Sequence, residues 1–316
     1  MAGGAERPVA RVGLVDDRSV TNQVWEKIDM KSPIDFVPLQ ELYPFESQWF
    51  ESSVGAVHYI DEGEGSAILF LHGSPMWSFL YRKIVRLLRD NFRCIAVDYP
   101  GFGLSVRPPG YGYMPQDHAV VVGELVRKLD LQDAIVMGQD WGGPIGLQVA
   151  VEAPDQFRGL VMGNTWYWPA EGLKMNGFGM ILSTAPMQWL IRSKNFFVER
   201  GIPTGMNTKL TVEEMDHYRR VQPPGMREGV AVFPKAIRGS KSWMAGLEER
   251  VRESLTDKPL LLTWGMQDIA FTPGATIPRW RRDFPQALVV ELKEAKHYIQ
   301  EDAPEEIAAA IREQYG

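Results

Sequence analysis

An aspartate stands among glycines at the end of an apolar run, in the segment Gly138-Gln139-Asp140-Trp141-Gly142-Gly143. The run before it, Ala134 to Met137, predicts a strand, and the stretch Gly143 to Ala153 predicts a helix. A strand, a sharp turn and a helix form the arrangement that exposes a nucleophile at the top of a sheet. A carboxylate in that position can attack a saturated carbon, expel a leaving group and form an alkyl ester. Asp140 is therefore the candidate nucleophile.

Hydrolysis of such an ester needs a base that activates water, and two late segments supply the base and a partner for it. Asp268 follows the apolar run Leu260 to Trp264, and His297 follows the run Ala287 to Glu291. Catalytic groups gather at the carboxyl ends of strands in open α/β sheets. Asp268 alone fits a turn or a helix cap equally well. Its order after the nucleophile and before the histidine favours a catalytic acid that orients His297.

The other four histidines fit a catalytic or metal-binding role less well. His58 lies in a strand-like run and is expected to be structural, whereas His118 and His217 lie in polar helical stretches and are expected to be exposed. No pairing of histidine with acidic residues has the spacing of a metal site. We therefore expect no metal site.

The segment Leu71-His72-Gly73-Ser74-Pro75 follows a predicted strand and can bring a backbone N–H close to the nucleophile. The backbone N–H groups of Ser74 and Trp141 are the candidate donors of an oxyanion hole. A tight turn at His72-Gly73 is the simpler interpretation, and it does not exclude this role.

Strands and helices alternate in the predicted core, which is typical of a doubly wound α/β fold with a mostly parallel sheet. Predicted helices span Met76 to Leu88, Gln116 to Leu129 and Gly143 to Ala153. Continuous apolar runs predict strands buried on both faces. These runs are Ala67–Leu71, Cys94–Val97, Ala134–Met137, Gly159–Met162, Leu260–Trp264 and Ala287–Glu291, and two further strands are predicted near Trp49–Glu51 and Val54–Ile60.

The alternation stops between residues 166 and 250, where helical segments rich in aromatic residues predict an inserted cap. We assign residues 44–165 and 251–316 to the core domain and residues 1–43 to an arm of unreadable function. The cap aromatics fit either helix packing or the wall of a dry pocket. They are Trp168, Trp189, Phe196, Phe197, Phe233 and Trp243.

Composition is that of an ordinary globular enzyme, with 316 residues, 45% hydrophobic and 23% charged. The net charge of −6 argues against a nucleic-acid partner. The single cysteine, Cys94, lies in an apolar run and is expected to be buried. We see no signal for export or membrane insertion and expect a cytoplasmic protein. The arm is our candidate surface for a homo-oligomer.

From about Tyr43 to Gly316, the chain resembles the haloalkane dehalogenases of the α/β-hydrolase superfamily. The resemblance rests on several ordered motifs. They are His72 to Arg82, Asp98 to Ser105, Gln139 to Pro144, Asn195 to Glu199, Phe233-Pro234, Asp268 and His297. It implies that Asp140 displaces halide from a halogenated alkane and that His297 activates the water that hydrolyses the ester, giving an alcohol, halide and a proton without a cofactor. It also implies a substrate pocket at Phe197, Phe233 and Pro234.

The resemblance further implies that the indole N–H of Trp141 holds the departing halide, a role that suits a donor with no acceptor. Many members of the family place an asparagine after His-Gly as the second halide donor, where this chain has Ser74. Other members use a cap tryptophan, for which Trp166 and Trp168 are the leading candidates and Trp189 and Trp243 are also available. The alternative family position for the acid, near Asn164, is not acidic here, which favours Asp268.

Two rival functions remain open. Epoxide hydrolases share the fold and the Asp-Trp elbow but need two cap tyrosines, for which Tyr167 and Tyr218 can be proposed; Tyr218 also fits a polar contact to substrate or a surface position. A non-catalytic protein of the same fold that binds an apolar ligand is the other alternative. The intact Asp140, Asp268 and His297 argue against it.

Overall fold

The computed structural model describes residues 32–316, and within that range eight strands form one sheet in the order β1-β2-β4-β3-β5-β6-β7-β8. The first two strands pair antiparallel with each other, and β2 pairs antiparallel with β4, whereas all later pairings are parallel. The strands are β1 Gln48–Ser52, β2 Gly55–Glu62, β3 Ala67–Leu71, β4 Arg93–Val97, β5 Ala134–Gln139, β6 Phe157–Gly163, β7 Leu260–Gly265 and β8 Leu288–Leu292. The predicted mostly parallel α/β fold is confirmed.

Alternate residues of the central strands pack into two separate cores, one on each face of the sheet. In β3, Leu69 and Leu71 belong to one core, and Ile68 and Phe70 belong to the other. All five residues of β3 are buried, as its continuous apolar run predicts. The prediction is wrong for β8, which is largely half-buried or exposed because it is an edge strand that pairs only with β7.

Helices cover both faces of this sheet. The predicted helix from Met76 begins later, because residues 78–81 form a 3₁₀ turn before α1. The helices outside the insertion are α1 Arg82–Leu88, α2 Pro115–Lys128, α3 Gly142–Glu152, α10 Pro273–Asp283, α11 Ile299–Asp302 and α12 Pro304–Tyr315. Cys94 is buried, as expected.

Six α-helices and no strand lie between β6 and β7 in the described chain. They are α4 Gly172–Leu182, α5 Ala185–Lys194, α6 Ile202–Thr204, α7 Val212–Arg220, α8 Glu228–Gly239 and α9 Lys241–Ser254. The expected boundary at residue 250 falls inside α9. Trp243 and Arg250 of α9 both donate to Gln148 of α3, at 2.9 and 2.6 Å, which fastens α9 to the core.

Residues 1–31 of the expected N-terminal arm, and with them most of the candidate oligomer surface, lie outside the described residues. Residues 32–43 pack against the core, where Phe36 and Tyr43 are buried. The Leu39 N–H donates to Nε2 of His217 at 3.0 Å. His217 is therefore buried beneath this segment, and the expectation that it is exposed is wrong.

A buried ion cluster joins α1, α7 and α11 beside the sheet. Arg82 pairs with Glu301 and also with Glu214 at 2.6 Å, and Lys83 reaches Glu301 at 2.9 Å. The Tyr218 hydroxyl donates to Glu301 at 2.6 Å. Burial opposes ionisation of Glu301, but Arg82 and Lys83 outweigh it and hold the pKa of that carboxyl below its ordinary value.

We expect Glu301→Gln to lower the free energy of unfolding by about 3 kcal/mol, because it removes the negative partner of a buried guanidinium. Urea unfolding measures this change. Glu228→Gln is the matched control, because Glu228 pairs with Arg192 at the surface, and we expect a loss below about 1 kcal/mol there. Equal losses in the two variants would contradict a stabilising role for the buried cluster.

Candidate active site

Asp140 lies at a sharp turn between β5 and α3, and its backbone is left-handed with φ +53°. The turn is stabilised from the neighbouring strand end, because the Asp140 N–H donates to the Asn164 carbonyl at 3.2 Å and the Thr165 hydroxyl donates to the Asp140 carbonyl at 2.6 Å. A Cβ at Gly143 would overlap the Thr165 side chain. The glycine after the elbow thus permits the close approach that places Asp140 above the sheet.

Two backbone N–H groups bind the Asp140 carboxylate. The Ser74 N–H donates to Oδ1 at 3.1 Å, and the Trp141 N–H also donates to this carboxylate. Both backbone N–H groups that the sequence predicts for an oxyanion hole therefore contact the Asp140 carboxylate. Burial raises the pKa of Asp140 above its ordinary value, although these donors and His297 oppose the shift.

His297 lies between two carboxylates, as the sequence predicts. Its Nδ1 is 2.9 Å from Oδ2 of Asp268, and its Nε2 is 3.8 Å from Oδ2 of Asp140. Burial lowers the pKa of His297, but Asp268 and Asp140 outweigh it and raise that pKa above its ordinary value. Nδ1 therefore carries the proton shared with Asp268, which leaves Nε2 facing the nucleophile as the basic nitrogen.

Asp268 is a buried anion that several donors satisfy. Its Oδ1 accepts from the backbone N–H of Ala270 at 2.6 Å and of Phe271 at 3.3 Å, and Oδ2 faces His297. Burial acts to raise the pKa of Asp268, but His297 and these donors hold it below its ordinary value. Asp268 thus remains ionised while it orients the imidazole.

Asn164 links the loops that carry Asp140, Asp268 and His297, and the sequence analysis missed these contacts. Its Nδ2 donates to Asp268 Oδ2 and to the Lys296 carbonyl, both at 2.8 Å, and its Oδ1 accepts from the Gly265 N–H at 2.8 Å. Its backbone is left-handed, with φ +40°. An asparagine directly after a buried strand was the available signal, because asparagine tolerates this conformation.

Gln139 is a second residue whose contacts the sequence did not indicate. Its buried Nε2 lies 3.1 Å from the His297 carbonyl and 3.1 Å from His297 Nε2. Because a backbone carbonyl can only accept, the group that faces His297 must be the NH₂ of the Gln139 amide rather than its oxygen. Gln139 therefore holds the histidine loop against the nucleophile turn.

A largely apolar cavity of about 380 Å³ lies above Asp140. The expected pocket residues Phe197, Phe233 and Pro234 all line it. The sequence did not single out most other wall residues, which are Met175, Phe178, Leu182, Gly201, Thr204, Gly205, Ile237, Ile269, Ala270, Phe271 and Tyr298. Such a wall suits an apolar substrate.

Trp141 and Ser74 line this cavity, but the cap tryptophans considered as halide donors do not. The Trp141 indole N–H makes no hydrogen bond within residues 32–316. Trp166 packs its ring 4.6 Å from that of Trp141 and, with Trp168, lines a separate depression. The remaining two are unsuitable, because Trp189 is exposed and Trp243 donates to Gln148.

The tyrosines proposed for epoxide opening do not line the cavity either. The Tyr167 hydroxyl donates to Asp283 and the Tyr218 hydroxyl donates to Glu301, each at 2.6 Å. Both residues are buried, so Tyr218 fits neither the substrate contact nor the surface position that the sequence suggested. These aromatic side chains instead stabilise contacts between distant parts of the chain.

The remaining histidines are structural, and one expectation is corrected. His118 is buried rather than exposed, stacks on Phe233 and Tyr99, and has its pKa lowered to about 3 by burial. His58 is buried and bonded to Asp98 at 2.8 Å, as a structural histidine should be. Neither lines the cavity.

Gly73 lies against the nucleophile, because a Cβ there would overlap Cβ and Oδ1 of Asp140. We expect Gly73→Ala to displace the carboxylate and to lower turnover of an alkyl bromide by about 100-fold, since small displacements of a reacting group are costly. Initial rates of bromide release measure the effect. Gly246→Ala in α9 is the control, because its Cβ would meet no atom within 4 Å. A Gly73→Ala variant as active as this control would contradict the role of the contact.

Comparisons with known proteins agree with this geometry. Residues 66–304 match the α/β hydrolase fold family. Haloalkane dehalogenase 2 of Mycobacterium tuberculosis is 54% identical over 90% of this chain and 99% of its own length. A cis-3-alkyl-4-alkyloxetan-2-one decarboxylase of Xanthomonas campestris is 30% identical over 81% of this chain and 91% of its own length. The crystal structure of a haloalkane dehalogenase from Bradyrhizobium elkani superposes with a TM-score of 0.77 at 25% identity, covering 84% of this chain and 96% of that chain. The chain belongs to the haloalkane dehalogenase family within the α/β-hydrolase fold.

Proposed function

We propose that this protein hydrolyses haloalkanes to alcohol, halide and a proton through a covalent ester on Asp140. The observation that carries the proposal is a carboxylate beneath an apolar cavity, with Nε2 of a histidine 3.8 Å away and an unpaired indole N–H beside it. Identity of 54% to a relative named haloalkane dehalogenase 2 supports the leaving group.

In the first step, an oxygen of Asp140 attacks the carbon that bears the halogen. The new C–O bond forms as the carbon–halogen bond breaks, and the halide leaves with the bonding electrons. Trp141 donates its indole N–H to the developing anion. Ser74 is the second donor that we propose, because its buried hydroxyl lines the cavity and has no partner within the described chain.

In the second step, Nε2 of His297 takes a proton from water, and the resulting hydroxide attacks the carboxyl carbon of the Asp140 ester. The N–H groups of Ser74 and Trp141 stabilise the oxyanion that forms. Its collapse breaks the bond to the alkyl oxygen, which takes the proton held by His297 and leaves as the alcohol. The carboxylic acid left on Asp140 then loses its proton, which restores the carboxylate and accounts for the proton released. The ester carries no charge, so one of the two carboxylates that raise the pKa of His297 is lost. Alkylation of Asp140 thus favours the neutral histidine that the second step requires.

We further propose that the inserted helices act as a cap that forms the roof of the cavity. Met175, Phe178 and Leu182 of α4, with Phe233, Pro234 and Ile237 of α8, supply half of its apolar wall residues. Phe178 and Ile269 are 49% and 83% exposed, so the cavity opens to solvent beside them. Substrate entry through this opening would leave water excluded around Asp140.

We expect His297→Phe to stop turnover after one bromide per protein, because the ester forms but the base for its hydrolysis is absent. Mass spectrometry after exposure to 1-bromobutane should show the protein heavier by one butyl group, located on Asp140. Asp140→Ala should release no bromide and gain no mass. Full turnover by Asp140→Ala, or an unmodified His297→Phe protein that still releases bromide, would contradict the ester mechanism.

The hydrolytic step should lose rate as the pH falls. Its base acts only when His297 is neutral, so protonation below the histidine pKa removes it, and the inflection should lie at a lower pH than the pKa of His297 in the free protein. Single-turnover decay of the butyl ester between pH 5 and 9 measures the first value, and NMR titration of His297 measures the second. An inflection above the free-protein value would contradict the proposed loss of the Asp140 charge.

Two other substrates serve as comparisons. A strained oxetanone is also a carbon electrophile, and a 30% identical relative is named as an oxetanone decarboxylase. An epoxide is the second comparison substrate, although the two tyrosines considered for epoxide opening, Tyr167 and Tyr218, do not line the cavity. Bromide from 1-bromobutane, without comparable diol from styrene oxide or CO₂ from a cis-3,4-dialkyloxetan-2-one, would support dehalogenation. The reverse pattern would overturn it.

A further inference from the structure

Tyr298, which follows His297 directly, lines the cavity and is 4% exposed. Its ring lies 4.9 Å from the His297 ring and packs against Gly205 of the inserted segment, to whose carbonyl its N–H donates at 3.0 Å. The Tyr298 ring therefore contacts both the histidine loop and the inserted segment.

The Tyr298 hydroxyl makes no hydrogen bond within residues 32–316. The hydroxyls of Tyr81 and Tyr315, in contrast, donate to backbone carbonyls. An unpaired phenol inside a protein is unfavourable, so the open cavity is where this hydroxyl can find a partner. Burial, with the carboxylates of Asp140 and Asp268, raises its pKa, so that it stays protonated and acts as a donor.

The Tyr298 ring does not lie beside the indole of Trp141. Ring contacts along the wall run from Trp141 to Trp166 at 4.6 Å, then to Phe271 at 4.9 Å, to His297 at 5.8 Å and to Tyr298 at 4.9 Å. Within the described chain, no ring contact joins Trp141 and Tyr298 directly. With halide at the indole, the phenol therefore faces another part of the substrate.

We propose that Tyr298 is a specificity-determining residue, whose hydroxyl donates to an ether or alcohol oxygen of the substrate. The site then prefers haloalkanes that carry such an oxygen over plain haloalkanes of equal size. A plain alkyl chain displaces water from the phenol and offers no acceptor, whereas an oxygen in the chain replaces that water. This inference rests on the proposed dehalogenation and names its substrate class.

Three substrates of nearly equal size test the proposal: 1-bromobutane, 1-bromo-2-methoxyethane and 3-bromo-1-propanol. The ether oxygen accepts only, and the two oxygenated compounds place oxygen at different distances from bromine. The measurement is kcat/KM for bromide release by the wild type and by Tyr298→Phe. For each protein, kcat/KM for each oxygenated substrate is divided by kcat/KM for 1-bromobutane. Comparing these ratios between the wild type and Tyr298→Phe cancels differences in intrinsic reactivity and in active fraction.

We expect Tyr298→Phe to lower this ratio by about threefold to tenfold for at least one oxygenated substrate, as the loss of one hydrogen bond predicts, with most of the change in KM. Tyr59→Phe is the control, because Tyr59 lies on β2 away from the cavity, and its ratios should match those of the wild type. Tyr298→Leu provides a second variant without the hydroxyl if the phenylalanine variant does not fold.

Ratios that are unchanged in both Tyr298 variants, while 1-bromobutane is still turned over, would overturn the inference and leave the proposed dehalogenation intact. No bromide from any of the three substrates with the wild type would instead overturn the proposed function. A ratio that changes equally in Tyr59→Phe would show a general effect of the substitution and would also overturn the assignment to Tyr298.

Discussion

The negative charge of Asp140 beneath an apolar cavity is the constraint on which the rest of this structure depends. A buried carboxylate without partners would simply take up a proton, and the raised pKa of Asp140 shows the effect of that burial. Two backbone N–H groups and His297 oppose it. They hold the carboxylate in place with few solvent contacts, which suits the attack on a saturated carbon that we propose for it.

The groups that lower the pKa of Asp140 against the effect of burial come from distant parts of the chain. The fold must therefore bring several strand ends together. Asn164 does this most directly, because one side chain binds the acid loop, the strand end at Gly265 and the histidine loop. The backbone carbonyl of Asn164 also accepts a hydrogen bond from the Asp140 N–H. Glu301 of α11, which follows the histidine, pairs with Arg82 of α1, so the segment after His297 is anchored to the core.

Asp140, Asp268 and His297 could be singled out as candidate catalytic residues because their signals are local. Asp140 has a strand before it and a helix after it, and Asp268 and His297 each follow an apolar run. The insertion offered no such signal, because the direction of a helical side chain depends on what packs against it. Tyr167 and Tyr218 bond to acids 116 and 83 residues away, and His217 is covered by a segment that precedes the core. No local pattern could have shown those partners.

The halide subsite that we propose also depends on packing between distant parts of the chain. Trp166 does not reach the cavity, yet its ring lies nearly edge-on to Trp141 and fixes the plane in which the indole N–H points. Ser74 has its backbone tied to Asp140, and the adjacent Gly73 is in contact with that carboxylate, so its hydroxyl can move only by rotation about one bond. In the proposed reaction, the leaving group would therefore meet one rigid donor and one adjustable donor. A rotating hydroxyl can adapt to halides of different radius, which a second rigid indole could not do.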